Sequence, residues 1–200
     1  MSATQSTMLA LGTHAPAFTL LDVESQALRS LEDFGGSRAL LVVFLCAHCP
    51  YVLHVAPALA QIARDYANAS LAIVGITSND TEQYPQDAPA PTARFAAKQG
   101  LSFPILFDET QRVAQAYSAA CTPDFFLFDE HRALAYRGQI DESRPMRGPD
   151  RPGKGVCDGA DLRAAIDAVL AGRPAPELQT ASIGCSIKWK AGNEPSGVWH

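Results

Sequence analysis

The sequence has no apolar stretch approaching the ~20 residues that a membrane-spanning helix needs. It also has no run of basic residues interleaved with aromatic ones, and its net charge is −5. The last two features argue against a surface that binds nucleic acid. We therefore expect neither a membrane nor a nucleic-acid partner. The amino terminus lacks a basic segment followed by a sustained apolar core, so we expect no export signal and a cytosolic location.

The chain also lacks an even set of cysteines. It has five, a number that does not suit a fully paired disulfide framework, and thiols in the cytosol are mostly kept reduced. Two of the five stand three apart in LCAHCP, residues 45–50. In this setting a close pair is more typical of catalysis or metal binding than of a structural bridge.

The apolar pattern around this pair predicts a βαβ unit. RALLVVFL, residues 38–45, is an almost unbroken apolar run, typical of a strand that is covered on both faces. Residues 52–66 then carry apolar side chains at three- and four-residue spacing, which predicts an amphipathic helix with Pro57 inside it. LAIVGIT, residues 71–77, predicts a second buried strand. The cysteine pair therefore lies where the first strand meets the helix.

The rest of the sequence predicts a single α/β domain over residues 1–200, with a core at about 14–172 and an irregular tail at 173–200. We expect a central mixed β-sheet flanked by helices, preceded by a β-hairpin extension. The further predicted elements are a hairpin at 17–21 and 27–30, loops at 79–91 and 142–155, helices at 92–99, 108–119 and 162–170, and strands at 103–107, 125–128 and 133–137.

A cysteine pair at the start of a helix has a chemical logic. The unpaired N–H groups and the positive end of the helix dipole stabilise a thiolate on the first cysteine. The second cysteine can attack the mixed disulfide that forms on the first. We therefore predict Cys46 as an exposed nucleophile and Cys49 as a partly buried resolving thiol. His48 can add positive charge beside the thiolate, and Pro50 suits the first turn, where an N–H would be unpaired.

Several segments resemble the AhpC/TSA (peroxiredoxin-related) redoxin group of the thioredoxin superfamily. HAPAFTLLD, SLEDFGGSRALLVVFL and CTPDFFLFD resemble the group as a whole, and CAHCPYV, YPQD, YRGQID and GCSIKWK are similar to one bacterial subgroup. The resemblance covers nearly the whole chain and implies a thioredoxin fold with Pro123 as a cis residue opposite the cysteine pair. It also implies that the Thr122 backbone is free to pair with a substrate strand beside Cys46, and that Cys121 lies near the pair.

The sequence departs from two patterns of these relatives. Peroxidatic sites resemble PxxxTxxC or PxxxSxxC, and counting back from Cys46 or from Cys49 gives neither motif. We therefore expect no fast, dedicated peroxidase. Leu45 replaces the tryptophan that usually precedes the pair in thioredoxin, and the preceding strand lacks a buried acidic residue. The direction of electron flow stays open.

Three functions fit these residues. The first is a thiol–disulfide oxidoreductase without a cofactor, acting on protein or small-molecule disulfides or thiols, with a reductant of the thioredoxin or glutathione type. The second is a metal-binding or copper-delivery module that uses Cys46, Cys49 and either His48 or His54. The third is a weak thiol peroxidase. The sequence does not fix the oligomeric state.

Three further cysteines and one charged loop have open roles. Cys121 is either an auxiliary thiol or a buried structural residue, and Cys157 is expected to be a bystander. Cys185 could fold back toward the active site as an alternative resolving partner. The loop at 142–155 either attracts an anionic thiol or is simply solvated, and its four cations are Arg144, Arg147, Arg151 and Lys154.

Overall fold

The computed structural model describes residues 3–146, 148 and 153–195. These residues form ten strands: β1 (Ala3–Gln5), β2 (Thr19–Asp22), β3 (Leu28–Ser30), β4 (Ala39–Phe44), β5 (Leu71–Thr77), β6 (Ile105–Phe107), β7 (Cys121–Thr122), β8 (Asp124–Phe128), β9 (Leu134–Gly138) and β10 (Ile183–Ser186). The same residues form four α-helices: α1 (Pro50–Asp65), α2 (Pro89–Gln99), α3 (Arg112–Ala116) and α4 (Ala160–Leu170).

Seven of the strands form a mixed sheet in the order β3-β2-β6-β5-β4-β8-β9. β4 runs parallel to β5, and β5 runs parallel to β6, whereas the other neighbours are antiparallel. β4 lies between β5 and β8, and all six of its residues are buried. The expected fold class, a central mixed sheet flanked by helices with a leading hairpin of β2 and β3, is confirmed.

Alternate residues of β4 face two separate hydrophobic cores. Leu41 and Val43 pack with apolar residues of α1, α2 and α4 on one face of the sheet. Leu40, Val42 and Phe44 pack on the other face with residues of α3 and with the aromatic side chains that follow it along the chain. This alternation explains the unbroken apolar sequence of β4, because a strand with both faces covered needs apolar residues at every position.

Two predicted helices have different bounds in the structure. The helix expected at 92–99 begins earlier, at Pro89, which takes the first helical position. The helix expected to be capped by Asp108 is reduced to the five residues of α3. Gln111 directly before it has a left-handed backbone with φ of 63°, which cannot continue a helix. The Asp108 carboxylate still accepts a hydrogen bond from the backbone N–H of Ala114 in the first turn of α3, and it also accepts one from the hydroxyl of Ser78.

The tail is not irregular throughout, which corrects the prediction for residues 173–200. β10 pairs antiparallel with both β1 and β7, and these three strands form a second sheet. Gly184 allows this approach, since a Cβ at that position would lie 2.0 Å from the carbonyl oxygen of Thr122. Within the described part of the chain, no helix combines the length and the apolar character of a membrane span.

Candidate active site

Cys49, and not Cys46, lies at the amino terminus of a helix. β4 ends at Phe44, a short connection follows, and α1 begins at Pro50 with Cys49 as its N-cap residue. Pro50 takes the first helical position. A backbone N–H at that position has no acceptor within the helix, so the N–H that proline lacks is not needed there. The prediction that Cys46 would lie beside the free N–H groups of the helix is therefore wrong by three residues.

The surroundings of the Cys49 sulfur favour its thiolate. Its pKa is lowered chiefly by hydrogen bonds from the thiols of Cys185 and Cys46, and further by the backbone N–H groups of Val52 and Cys185, while burial acts in the opposite direction. The sulfur also lies 3.1 Å from the carbonyl oxygen of Thr122, to which the thiol form donates. Four donors outweigh this one acceptor, so the charged form is the better satisfied one.

The surroundings of Cys46 favour its protonated thiol. Its pKa is raised by the hydrogen bond that its thiol makes with Cys49, by burial and by the negative charge of Asp87. Its sulfur also lies 3.3 Å from the hydroxyl of Thr122. Cys46 is 1% exposed and Cys49 is fully buried. The expected exposed Cys46 thiolate and partly buried Cys49 are thus corrected on both counts.

A buried carboxylate holds His48 and the loop between the two cysteines. Nδ1 of His48 lies 2.8 Å from one oxygen of Asp87, whose side chain is fully buried. The other oxygen accepts a hydrogen bond from the backbone N–H of Ala47 at 2.9 Å. The side-chain amide of Asn79 donates to the first oxygen at 2.8 Å. Asp87 therefore fixes both the backbone and the imidazole within the cysteine motif.

The residues around His48 were missed by the interpretation of the cysteine motif alone. The imidazole stacks on the ring of Tyr84, with centroids 5.7 Å apart and an angle of 5° between the planes. The ammonium group of Lys188 lies 5.9 Å from the centre of the same ring. Tyr84 and Asp87 are the first and last residues of the YPQD segment, so that segment was the available signal for them.

The Thr122–Pro123 peptide bond is cis, and it faces the cysteine pair. The implied free backbone at Thr122 is not found, because β10 already pairs with β7 in a register that places Cys185 opposite Thr122. The strand edge proposed for an incoming substrate is occupied by the chain itself. Cys185 thereby reaches Cys49, as its thiol and its backbone N–H both interact with the Cys49 sulfur.

The other candidate residues have structural partners. Cys121 is fully buried, and its thiol faces the carbonyl oxygen of Pro123 at 3.6 Å. Nε2 of His54 lies 2.8 Å from the hydroxyl of Ser143, so His54 is not brought to the cysteine pair. Cys157 is partly buried, and burial together with its hydrogen bond to Asp141 raises its pKa to about 12. Burial, and further the negative charges of Asp124 and Cys49, raise the pKa of Cys121, so Cys121 lies near the pair as the resemblance implies. The contacts of His54 and Cys157 do not include Cys46 or Cys49 among the described residues.

Both cations of the charged loop that the structure describes, Arg144 and Lys154, have hydrogen-bond partners within the protein. The guanidinium of Arg144 donates to the backbone carbonyls of Asp141 and Ser143 and to the side chain of Gln139. Lys154 pairs with Glu142 at 2.7 Å. These contacts favour a structural role for both cations over the attraction of an anionic thiol. Arg147 and Arg151 lie outside the described residues.

Cys46, His48 and Asp87 also have the spacing of a metal site. One donor atom from each lies within 4.8 Å of the other two, and thiolate, imidazole and carboxylate can all bind zinc. However, both oxygens of Asp87 are engaged, one by Ala47 and the other by Asn79 and His48. A metal would have to displace the contacts that hold the loop, and this favours redox chemistry over metal binding.

Comparison with known proteins gives one family and several relatives. The AhpC/TSA family model matches residues 11–137. A candidate peroxiredoxin of Mycobacterium tuberculosis, Rv2521, is 34% identical over 116 residues, which cover 58% of this chain and 68% of the relative. The thiol-disulfide oxidoreductase ResA of Halalkalibacterium halodurans is 30% identical over 122 residues, 60% of this chain and 63% of the relative.

Solved structures extend the similarity to the tail. An uncharacterised conserved protein from Geobacillus kaustophilus is 48% identical, with a TM-score of 0.89, and the match covers 95% of this chain and 97% of that one. The thioredoxin domain of a thiol-disulfide oxidoreductase from Bacteroides vulgatus is 22% identical, with a TM-score of 0.55 over 64% of this chain and 88% of that one. The latter similarity shows that the fold is thioredoxin-like.

Proposed function

Since the chain belongs to the AhpC/TSA family of thioredoxin-like redoxins, we propose that it is a thiol–disulfide oxidoreductase in which Cys49 is the nucleophile. The observation that carries this proposal is the position of Cys49 as the N-cap of α1, where its sulfur accepts hydrogen bonds from the N–H of Val52 and from two neighbouring thiols. A thiolate is the reactive form in disulfide exchange. The similarity to ResA supports the same chemistry.

The reaction proceeds by two successive attacks on sulfur. The Cys49 thiolate attacks one sulfur of a substrate disulfide, the substrate S–S bond breaks, and one half of the substrate leaves as a thiolate. A neighbouring thiol then attacks the Cys49 sulfur and gives its proton to the second departing thiolate. Cys46 within the motif and Cys185 on the tail both lie beside Cys49. The protein ends with one new disulfide, and the substrate ends as one thiolate and one thiol.

Substitution of each member of the motif tests the assignment of the nucleophile. We expect Cys49→Ser to abolish the reduction of a small disulfide, such as oxidised glutathione, by the reduced protein. Cys46→Ser should keep measurable activity, because a serine hydroxyl can still donate to the Cys49 thiolate. Activity would be followed by the release of thiol. Full activity in Cys49→Ser, with loss in Cys46→Ser, would return the nucleophile to Cys46.

The buried site favours a second candidate function, the weak reduction of hydroperoxides. Both cysteine residues are at most 1% exposed, so a small reactant is better suited to them than a large one. A relative named as a candidate peroxiredoxin supports the idea. Cys49 would become a sulfenic acid as the peroxide is reduced to an alcohol or water. Peroxide consumption that requires Cys49 and a thiol reductant would establish this activity, and no consumption would exclude it.

We also propose a cellular setting. We place the protein in the cytosol, where a reductant of the glutathione or thioredoxin type would restore the thiols. Its substrates would be small-molecule disulfides in preference to protein disulfides, because β10 already pairs with the strand edge at Thr122.

A further inference from the structure

The tail lies where a substrate polypeptide would bind beside the active cysteines. β10 pairs antiparallel with β7, with Cys185 opposite Thr122 and Ser186 opposite Cys121. Residues directly opposite each other in such a pair have Cα atoms only about 4.5–5.5 Å apart. The carbonyl of Thr122 is also the group that lies 3.1 Å from the Cys49 sulfur. The strand pairing therefore places Cys185 next to Cys49, since both lie beside Thr122.

The tail is held there at several points beyond the strand itself. The backbone N–H of Ser6 donates to the carbonyl of Ser182, and the N–H of Ile187 donates to the carbonyl of Ala120. Further along, the backbone N–H of Lys188 donates to the side chain of Asn79 at 2.9 Å. Asn79 also bonds the carboxylate of Asp87. The tail is thus tied to the network that positions the cysteine motif.

Cys185 contacts Cys49 directly. Its thiol and its backbone N–H both interact with the Cys49 sulfur, and the residue is 1% exposed. Gly184 makes this approach possible, because any Cβ at residue 184 would overlap the carbonyl group of Thr122. A resolving thiol has to contact the sulfur of the nucleophile. Gly184 allows the two strands to come close enough for Cys185 to make this contact with Cys49.

We propose that Cys185, held by the tail strand in the place of a substrate polypeptide, is the resolving thiol of Cys49. The proposal rests on the proposed function above and deepens it. After Cys49 has formed a mixed disulfide with half of a small substrate, the Cys185 sulfur attacks the Cys49 sulfur. The mixed disulfide breaks, the substrate half leaves as a thiol with the proton of Cys185, and a Cys49–Cys185 disulfide forms. An external thiol reductant then restores both cysteines.

Cys46 is less suited to this attack. A donor oxygen of Asp87 lies within 4.8 Å of its sulfur, and a negative charge at that distance opposes the thiolate that the attack requires. Cys46 instead keeps its proton and supports the charge on Cys49. The motif thus supplies a nucleophile and its hydrogen-bond donor, while the resolving thiol comes from the tail.

Disulfide mapping on the full-length protein tests the proposal. The reduced protein is mixed with oxidised glutathione, quenched by alkylation at successive times and analysed by mass spectrometry. We expect a Cys49–Cys185 bridge in the wild type and in Cys46→Ser. In Cys185→Ser and Cys185→Ala, glutathione should remain on Cys49 at least about tenfold longer than in the wild type, because the intramolecular attack is lost.

The matched control is Cys121→Ser, a change of an equally buried thiol on the neighbouring strand whose own partner is the carbonyl oxygen of Pro123 at 3.6 Å. This control should form the bridge at the wild-type rate. A Cys46–Cys49 bridge in the wild type, or rapid loss of glutathione from both Cys185 variants, would overturn the role of Cys185 while leaving Cys49 as the nucleophile. The complete absence of glutathione from Cys49 in every variant would overturn the proposed function as well.

Discussion

Cys46 and Cys49 are almost equally buried, yet their surroundings favour opposite protonation states. Because the Cys46 thiol donates to the Cys49 sulfur, Cys46→Ala should raise the pKa of Cys49, and Cys46→Ser should raise it less, since a hydroxyl still donates. The pH dependence of Cys49 alkylation by iodoacetamide, resolved by mass spectrometry, measures this difference. Identical profiles in both variants and the wild type would show that Cys46 does not support the thiolate.

Asp87 should be important for stability as well as for the site. Asp87→Ala removes the acceptor of the Ala47 N–H and of the Asn79 amide and the partner of His48. Buried donors without partners cost about 1–3 kcal/mol each, so we expect the free energy of unfolding in urea to fall by about 2–4 kcal/mol. The matched control is Asp33→Ala, where the carboxylate accepts from the exposed N–H of Ser30 and the loss should be about 1 kcal/mol. Equal losses would contradict the role given to Asp87.

Asp124 gives a prediction about pH. Burial raises its pKa to about 7, and one of its oxygens has no hydrogen-bond partner among the described residues. An unfolded aspartate titrates near ~3.9, so the folded state retains a proton that the unfolded state releases. The stability from this proton is fully present below about pH 4 and is lost as the pH rises through about 7.

The amide introduced by Asp124→Asn cannot ionise, so the variant should not lose stability as the pH rises through about 7. We expect the melting temperature of the variant, relative to the wild type, to be higher at about pH 8 than at about pH 5. The difference in free energy between the two conditions is about 2–3 kcal/mol. Thermal unfolding in the two buffers measures it. A relative melting temperature that does not change with pH would show that Asp124 is ionised throughout.

At the residue scale, the sequence contained part of the signal for the site. A proline at the first helical position makes the preceding residue the N-cap, and Pro50 therefore pointed to Cys49. The interpretation based on cysteine spacing overlooked this. The Asp87–His48 pair could not be derived from the cysteine motif, because it depends on how a loop some forty residues later folds back onto that motif.

At the element scale, the long and buried helices and strands were the ones that the sequence predicted best. β4, β5 and α1 have strong apolar periodicity, and each lies close to its predicted bounds. β7 has two residues and β10 has four, too few for a periodic signal, and both depend on pairing with distant segments. Their pairing places Cys185 opposite Thr122 and beside the cysteine pair, so the least predictable elements are the ones that shape the site.

Gly184 offers a way to test what β10 does. In Gly184→Ala the new Cβ would lie 2.0 Å from the carbonyl oxygen of Thr122, so the strand has to move away from β7. We expect Cys49 in the reduced protein to be alkylated about tenfold faster, equivalent to about 1.4 kcal/mol of easier opening, and the melting temperature to fall. Gly36→Ala is the matched control, since its Cβ would meet nothing within 4 Å. Labelling at the wild-type rate in Gly184→Ala would show that β10 does not cover Cys49.

At the scale of the whole molecule, the tail joins three parts of the protein. β10 pairs with β1 near the amino terminus and with β7 beside the cis-proline, and the residues after it bond Asn79 in the loop that carries Asp87. The thioredoxin-like core carries the proposed nucleophile, Cys49, and the tail strand lies against it. A polypeptide substrate would need the strand edge of Thr122, which is already taken.

This arrangement predicts selectivity by the size of the substrate. We expect the reduced wild type to react with bis(2-hydroxyethyl) disulfide at least about tenfold faster than with the disulfides of insulin, because insulin needs room that β10 fills. Gly184→Ala should narrow that ratio by accelerating the reaction with insulin, whereas Gly36→Ala should leave it unchanged. Initial rates of thiol formation, measured at equal disulfide concentrations, give the ratio directly. If the wild type reduces insulin as fast as the small disulfide, β10 is not a barrier to polypeptides, and the selectivity argued from its pairing with β7 is wrong.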